Sequence, residues 1–553
     1  MSLMAKTGDC KKILLTTPIY YPNDKPHLGH VYTSVVTDFL ARFYRIHGYE
    51  VLFSTGLDEH GQKMYKTAMK KGVSPQQYID EMVPFFKDML SAYNISYDVF
   101  IRTTEERHKR AAKALWLEMK RNGYIVKDKY AGWYNVSDEA FVKADDVSSV
   151  TEDGVSAVAK DGRALIWLEE ECYFFKLSMF RDRLIDYYQN ISALERDGCD
   201  SAVKPHGWIY PRSRLNEVIG FLQQPLLDVA ISRTTLDWGI DVPLSDGEEV
   251  NGKHVMYVWV DALTNYLTVI GYPDYDVVNV SSIGEVKYSV SKNACEMSNI
   301  VVDEVGCARF DKEFWENSVH ILGKDILRFH AVYWPAFLMA VGIHGPAKII
   351  AHGWWLSDKE EKMSKSLGNV VEPMKLLEMY DREQLRWFFL REMVIGQDGK
   401  FSCERVNIRW NELANNVGNL MQRSVTLLVR NFSGEVLSAE AGVIDDGEKF
   451  LSGLEKCVED CKLEMYASML LEYGTKLNKY FDENAPWKSV ISDNAVEQRD
   501  GWQVLSNVVY GVRMIVIALE PIVPERAGKM REVVGLVTDA VVSMPGEILF
   551  KRM

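Results

Sequence analysis

The chain has 553 residues, too many for one hydrophobic core, so several domains are expected. Hydrophobic residues at 47% and charged residues at 26% are ordinary for a soluble globular protein, and no unbroken run of 18 apolar residues marks a membrane span. A net charge of −14 argues against nucleic-acid binding through overall charge, leaving a local basic face for any structured RNA.

Lys12 to Thr17 predicts a short buried strand, with Ile13, Leu14 and Leu15 in succession. A turn-rich stretch from Pro18 to Pro26 follows. Val31, Val35, Phe39 and Phe43 then recur at helical spacing until Gly48 stops the helix. Val51 to Thr55 predicts the next strand. Strand, loop, helix, strand is the βαβ unit of a nucleotide-binding sheet, but the loop carries His27-Leu28-Gly29-His30 in place of GxGxxG. Residues 75–120 read as mostly helical. From about Gly123 to Arg233 short strands and Gly/Asp turns surround a helix near Phe180 to Gln189, as in an insertion. Strand and helix resume at His254 to Leu267 and His320 to Leu338, separated by a polar Val/Ser-rich surface segment at Asp274 to Arg309. Cys403 to Pro524 is helical by pattern, with a loop near Asn431 to Asp446.

Two motifs carry chemistry. His27-x-Gly29-His30 sits where a strand hands over to a helix N-terminus, where free N–H groups and the helix dipole favour phosphate. Its glycine permits close approach of a nucleotide, and imidazoles can donate to phosphate oxygens as charge develops. Lys362-Met363-Ser364-Lys365-Ser366, followed by Leu367-Gly368-Asn369, places two point charges three apart in a loop suited to a triphosphate. Chance occurrence of that pentapeptide is on the order of one in a thousand or less.

Together these motifs resemble the paired signature of class I aminoacyl-tRNA synthetases. The wider resemblance is to the methionyl-tRNA synthetases, and it runs from about Ile13 to Pro524. It rests on Thr17-Pro18-Ile19-Tyr20-Tyr21, Gly56-Leu57-Asp58-Glu59-His60-Gly61, Gly132-Trp133-Tyr134 and Tyr173 to Ser178. Tyr257 to Leu263, Gly323 to His330, His352-Gly353-Trp354 and Ala485-Pro486-Trp487 complete it. It implies an α/β fold: a Rossmann-type catalytic domain with an inserted connective domain, followed by an α-helical anticodon-binding bundle. The expected ranges are 1–122 and 234–345 for the catalytic halves, 123–233 for the insertion, 346–402 for a connecting domain with the lysine loop, and 403–553 for the bundle.

The resemblance also implies site residues. His27, His30, Lys362 and Lys365 would be catalytic, and with Gly29, Gly323 and Asp325 they would bind ATP. Asp58 would meet the methionine ammonium; Pro18, Ile19, Trp259, Leu263, Tyr266 and Ile326 would wall the thioether, which gains from aromatic contact. Tyr21 and His330 would stand near the sulfur, a weak acceptor. Asn419, Arg423 and Trp487 would read the anticodon, since an unstacked base needs an aromatic platform and polar groups for its edge. Implied substrates are methionine, ATP with Mg²⁺, and methionine tRNA, initiator and elongator.

Departures from the family pattern shape further expectations. Relatives carrying a zinc knuckle have Cys-x-x-Cys pairs in the insertion, whereas Asn135 and Asp138 stand at the first pair and Cys172 and Cys199 make no second. Zinc needs about four grouped ligands, so no zinc is expected. Cys457 and Cys461 read as packed thiols on one helix. Eight scattered cysteines and residues 1–12, which lack a secretory pattern, suggest a cytoplasmic protein with reduced thiols. The chain stops soon after Pro524 without the tRNA-binding module that dimerises some relatives, so a monomer is expected. Synthetases for leucine, isoleucine or valine must edit smaller isosteres, and residues 123–233 are too short for an editing domain. A non-catalytic tRNA-binding relative would not keep both motifs intact.

Overall fold

The structure is a computed structural model that describes residues 11–135, 140–142, 146–151, 154–196, 206–234, 236–244, 252–273, 278–279, 287–288, 310–357, 371–536, 541–546 and 549–550. The lysine motif, Asp138, Cys199 and most of the 274–309 segment lie outside the described residues. Six strands form one parallel sheet, in the order Val99–Arg102, Glu50–Leu57, Lys12–Thr16, Val319–Gly323, Lys348–His352, Trp208–Tyr210. The near-continuous apolar residues of the inner strands suit a sheet covered on both faces. From Lys12–Thr16 the chain winds outward one way, and from Val319–Gly323 it winds the other way. That reversal is a topological switch point, where ligands bind beyond the carboxyl ends of open α/β sheets.

The first strand, helix Leu28–Ile46 and the strand Glu50–Leu57 match the sequence reading, and Gly48 adopts φ +80° just past the helix. Within residues 75–120 the helices Pro75–Ala92 and Glu106–Arg121 are split by the unpredicted strand Val99–Arg102. The inserted sheet is antiparallel, its long strands Ile125–Asn135 and Ala164–Phe175 pairing over their length. Sheet membership does not follow the range 123–233, because Trp208–Tyr210 returns to the central sheet beside Lys348–Ile350.

The C-terminal part is helical: Cys403–Leu413, Asn419–Phe432, Ala441–Glu459, Leu463–Asn484, Ala495–Leu519 and Pro524–Val533. The loop read at 431–446 is shorter, covering 433–440. Cys457 ends up buried on its helix, but Cys461 falls beyond the helix end at φ +58°, so the two do not share a helix as the spacing suggested. Ala495–Leu519 is long and apolar enough to cross a bilayer by length and composition, yet 67% of its most apolar window is buried inside the protein. It is the core helix of the bundle. The bundle shares one hydrophobic core with the face of the sheet covered by Leu28–Ile46. At that junction Asp38 and Arg386, both fully buried, pair at 2.7 Å. Asp38 also accepts from Arg42 and Ser96, while Arg386 donates to the carbonyls of Pro521 and Ile522. Burial pushes the Asp38 pKa up, but Arg386 and Arg42 outweigh it and hold the carboxyl below its ordinary value.

Candidate active site

Four segments leave the carboxyl ends of adjacent central strands: Thr17 to His30, Asp58 to Gly61, Gly323 to Asp325, and His352 to Trp354. His27 is the N-cap of Leu28–Ile46, its Nδ1 accepting from the Gly29 amide at 3.1 Å. The His30 Nδ1 accepts from the His27 amide at 3.1 Å, closing a reciprocal capping box. The imidazoles stack with centroids 3.8 Å apart. A Cβ on Gly29 would stand 3.0 Å from the His27 ring, so glycine lets that ring fold back over the helix end. Because amide N–H groups donate to both Nδ1 atoms, each neutral ring carries its proton on Nε2. Desolvation first, and His27 second, push the His30 pKa well below its ordinary value. The motif therefore presents neutral N–H donors at a helix N-terminus. Behind it, Thr33 Oγ1 lies 2.7 Å from the buried His352 Nε2, joining the helix to the segment after Lys348–His352.

Gly323 ends its strand and Asp325 lies exposed just beyond it. A Cβ on Gly323 would come within 2.6 Å of Asp325 Oδ1, so a side chain there would push the Asp325 carboxylate from its place. The Trp354 indole donates to Asp325 Oδ1 at 3.2 Å. Lys324 forms a bidentate pair with Asp398 at 2.7 and 2.8 Å, and its ammonium lies 4.2 Å over the Trp354 ring.

Ile19, Trp259, Leu263, Tyr266 and Ile326 pack in one cluster, with Ile19, Trp259 and Ile326 half-buried on its edge. Pro18 is half-buried next to Ile19, and the half-buried Tyr21 packs in the neighbouring cluster around Tyr20 and Leu57. Asp58 is half-buried, its amide donating to Tyr20 O at 2.9 Å. His330 is buried, with Nδ1 3.0 Å from Ile326 O and Nε2 2.8 Å from the Tyr266 hydroxyl. A carbonyl only accepts, so Nδ1 carries the proton and Tyr266 donates to Nε2. Both His330 nitrogens are thus spent, Nδ1 on the Ile326 carbonyl and Nε2 on Tyr266, rather than on facing a ligand. Desolvation lowers the His330 pKa to about 4.

Sequence reasoning missed the parts behind these walls. Phe329 stacks on Trp259 at 3.7 Å, and His320 stacks under Tyr266 at 4.0 Å while bonding Thr16 at 2.9 Å. His60 and His108 both bond Asp261, which lies in the same helix as Trp259. The available signal was a carboxylate inside the otherwise apolar Tyr257 to Leu263 stretch. Far along the chain, Asn419 and Arg423 lie one turn apart on Asn419–Phe432. The Arg423 guanidinium covers Phe481 at 4.5 Å and Trp487 at 5.7 Å, and it pairs with Asp482 at 3.0 Å. The three expected anticodon readers therefore converge on one partly exposed surface. Among the described residues no group of three or more His, Cys, Asp or Glu side chains is arranged to hold a metal ion. Asn135 is buried at the end of its strand and Cys172 is buried.

The chain matches the family described as tRNA synthetases class I (M) over residues 13–151 and 148–425. It is 40% identical to the methionine–tRNA ligase of Brucella suis over 536 residues, covering 96% of this chain and 93% of that protein. It is 39% identical to that of Rhizobium meliloti over 543 residues, with 96% and 93% covered. A solved structure of Mycobacterium tuberculosis methionyl-tRNA synthetase in complex with methionyl-adenylate matches with a TM-score of 0.82 at 36% identity, covering 98% of this chain and 100% of that one. A parallel sheet with the histidine motif at its switch point, an insertion and a helical tail is thus the fold of a class I aminoacyl-tRNA synthetase. Within that class, the chain belongs to the methionine–tRNA ligase family.

Proposed function

We propose that the chain joins methionine to its tRNA in two steps, with the residues around the switch point dividing the work. In the first, a methionine carboxylate oxygen attacks the α-phosphorus of ATP, the bond to the bridging oxygen breaks, and pyrophosphate leaves. Mg²⁺ enters with the triphosphate, whose oxygens supply its ligands. His27 and His30 donate Nε2–H to the α-phosphate oxygens as they gain charge, and Lys362 and Lys365 neutralise the leaving pyrophosphate. Gly29, Gly323 and Asp325 hold the adenosine. Asp58 meets the ammonium, while Pro18, Ile19, Tyr21, Trp259, Leu263, Tyr266, Ile326 and His330 enclose or support the thioether. In the second step a ribose hydroxyl of the terminal adenosine of methionine tRNA attacks the adenylate carbonyl carbon, and AMP leaves. No covalent enzyme intermediate is needed. Asn419, Arg423 and Trp487 read the anticodon of initiator and elongator tRNA alike.

The observation that carries this reading is the pair of neutral imidazoles capping a helix at the switch point. ATP–pyrophosphate exchange across all twenty amino acids tests it: methionine alone should support rapid exchange, and rapid exchange with leucine or isoleucine instead would refute the pocket. The enzyme is proposed to work in the cytoplasm as a monomer without zinc. Elemental analysis finding about one zinc per chain would overturn the last point.

A further inference from the structure

A polar cluster that this mechanism leaves unused lies behind the amino-acid pocket. Asp261, 1% exposed, accepts from His60 Nδ1 at 2.6 Å on one oxygen and from His108 Nε2 at 2.7 Å on the other. His108, fully buried, also lies 3.1 Å from Thr268 Oγ1. A carboxylate only accepts, so both rings donate, and such charge-assisted bonds are short and stiff. Each partner comes from a different element. His60 belongs to the loop after Glu50–Leu57, two residues beyond Asp58. Asp261 belongs to helix Val258–Thr268, which also carries Trp259, Leu263 and Tyr266. His108 belongs to Glu106–Arg121, packed behind that helix.

The loop is braced on its other sides as well. Glu59 is buried against Arg102 at 2.6 Å, its amide donates to Thr103 Oγ1 at 3.0 Å, and its carbonyl accepts from the Trp238 indole at 2.7 Å. None of those bonds reaches the helix that carries Trp259 and Tyr266. The His60–Asp261 bond does. It joins the element holding the ammonium partner to the element holding the thioether wall.

We propose that the His60–Asp261 hydrogen bond sets the length of the amino-acid pocket, which makes both of them positioning residues for substrate selection. The inference rests on reading Asp58 and the Trp259–Tyr266 face as the two ends of that pocket. A pocket of fixed length rejects one extra methylene by about 10- to 200-fold, and a loop free to drift from the helix loses part of that rejection.

The test measures pyrophosphate exchange with methionine and with its S-ethyl homologue on His60→Ala and His60→Asn enzymes. Asparagine places its amide nitrogen where Nδ1 stood and still donates to Asp261; alanine does not. His60→Ala should raise the methionine KM about tenfold while kcat stays within about twofold. The kcat/KM ratio should shift about tenfold toward the S-ethyl homologue. His60→Asn should restore both. Equal losses for the two substrates, or an asparagine enzyme no better than the alanine one, would overturn the proposal. Should His60→Ala fail to fold, His60→Leu removes the donor while filling roughly the volume of the imidazole and must shift the same ratio; an unchanged ratio there overturns it equally. Asp58→Ala separates the two levels. Unchanged methionine KM in that variant sinks the pocket reading and the gauge with it, whereas a crippled Asp58→Ala beside an unshifted His60→Ala ratio sinks the gauge alone.

Discussion

With Trp487 proposed to read the anticodon, its truncation to alanine should separate recognition of tRNA from activation of methionine. The indole is half-buried, tilted against Phe481 at 5.5 Å with the Arg423 guanidinium 5.7 Å from its ring, so one part faces protein and another faces solvent. A base stacked on an aromatic side chain is worth about 1–3 kcal/mol, which corresponds to a roughly 5- to 150-fold fall in aminoacylation kcat/KM. Truncation of a fully buried tryptophan costs about 3–5 kcal/mol of stability, and the partial exposure of Trp487 puts its cost below that range. Aminoacylation, tRNA-free pyrophosphate exchange and the unfolding midpoint should be measured on the same variant. Aminoacylation should fall while exchange and midpoint stay near wild type. Parallel loss of both activities with a lowered midpoint would mean the residue serves the core, and would refute its assignment to the anticodon. Arg423→Ala offers a companion reading, because its exposed pair with Asp482 contributes at most about 1 kcal/mol to stability.

Lys365→Ala should slow adenylation by roughly 100-fold or more and leave methionine affinity without ATP unmoved, as expected for a group aimed at transition-state charge. Equal losses in both would make the loop structural. Arg386→Met should cost about 3 kcal/mol or more of stability in denaturant, because the buried Asp38 loses one of its two cations; a loss under 1 kcal/mol would show the pair to be dispensable. The buried His330, with a folded pKa of about 4 against an ordinary value near 6.5, takes up its proton in the unfolded state first as pH falls. Its contribution is therefore complete at neutral pH and is lost between about 6.5 and 4, with about 2 kcal/mol gone by pH 5. Denaturation at pH 7.5 and 5 should show that loss, and His330→Gln should reduce the slope; identical slopes would refute the assignment.

Local signals were the legible ones. His27 could be placed at a helix N-terminus because a strand, a Pro-rich turn and a 3.6-residue apolar period lie in direct succession. Val99–Arg102 was not legible, because four residues between two long helices give too short an alternation to separate from a helical face. Trp208–Tyr210 joins a strand about 140 residues away, and no property of those three residues announces it. Cys461 obeyed the spacing of a helix but left it. The chain turns within Asp460 to Lys462 to start Leu463–Asn484, and the cysteine takes up the left-handed conformation that the turn requires. The same limit applied to the candidate site. Residues carried by one motif could be named as candidates, whereas His60, His108 and Asp261 acquire their meaning from contacts across 153 and 201 positions.

The geometry also sets the switch point apart from the surface proposed to read the anticodon. The helix capped by His27 runs through Phe39 and Phe43, about 17 and 23 Å from its start at 1.5 Å per residue. There Tyr466 meets both rings, at 5.1 and 6.3 Å. From Tyr466 the helix Leu463–Asn484 continues about 27 Å further before the chain reaches Trp487. Phe39, Phe43 and Tyr466 are buried, and the Tyr466 hydroxyl is tied to Ala518 O at 2.8 Å. Close-packed joints of this kind shift little when an exposed side chain at the far end is truncated. A local change at Trp487 should therefore stay local, and a defect that appears in both reactions must have travelled through the core they share.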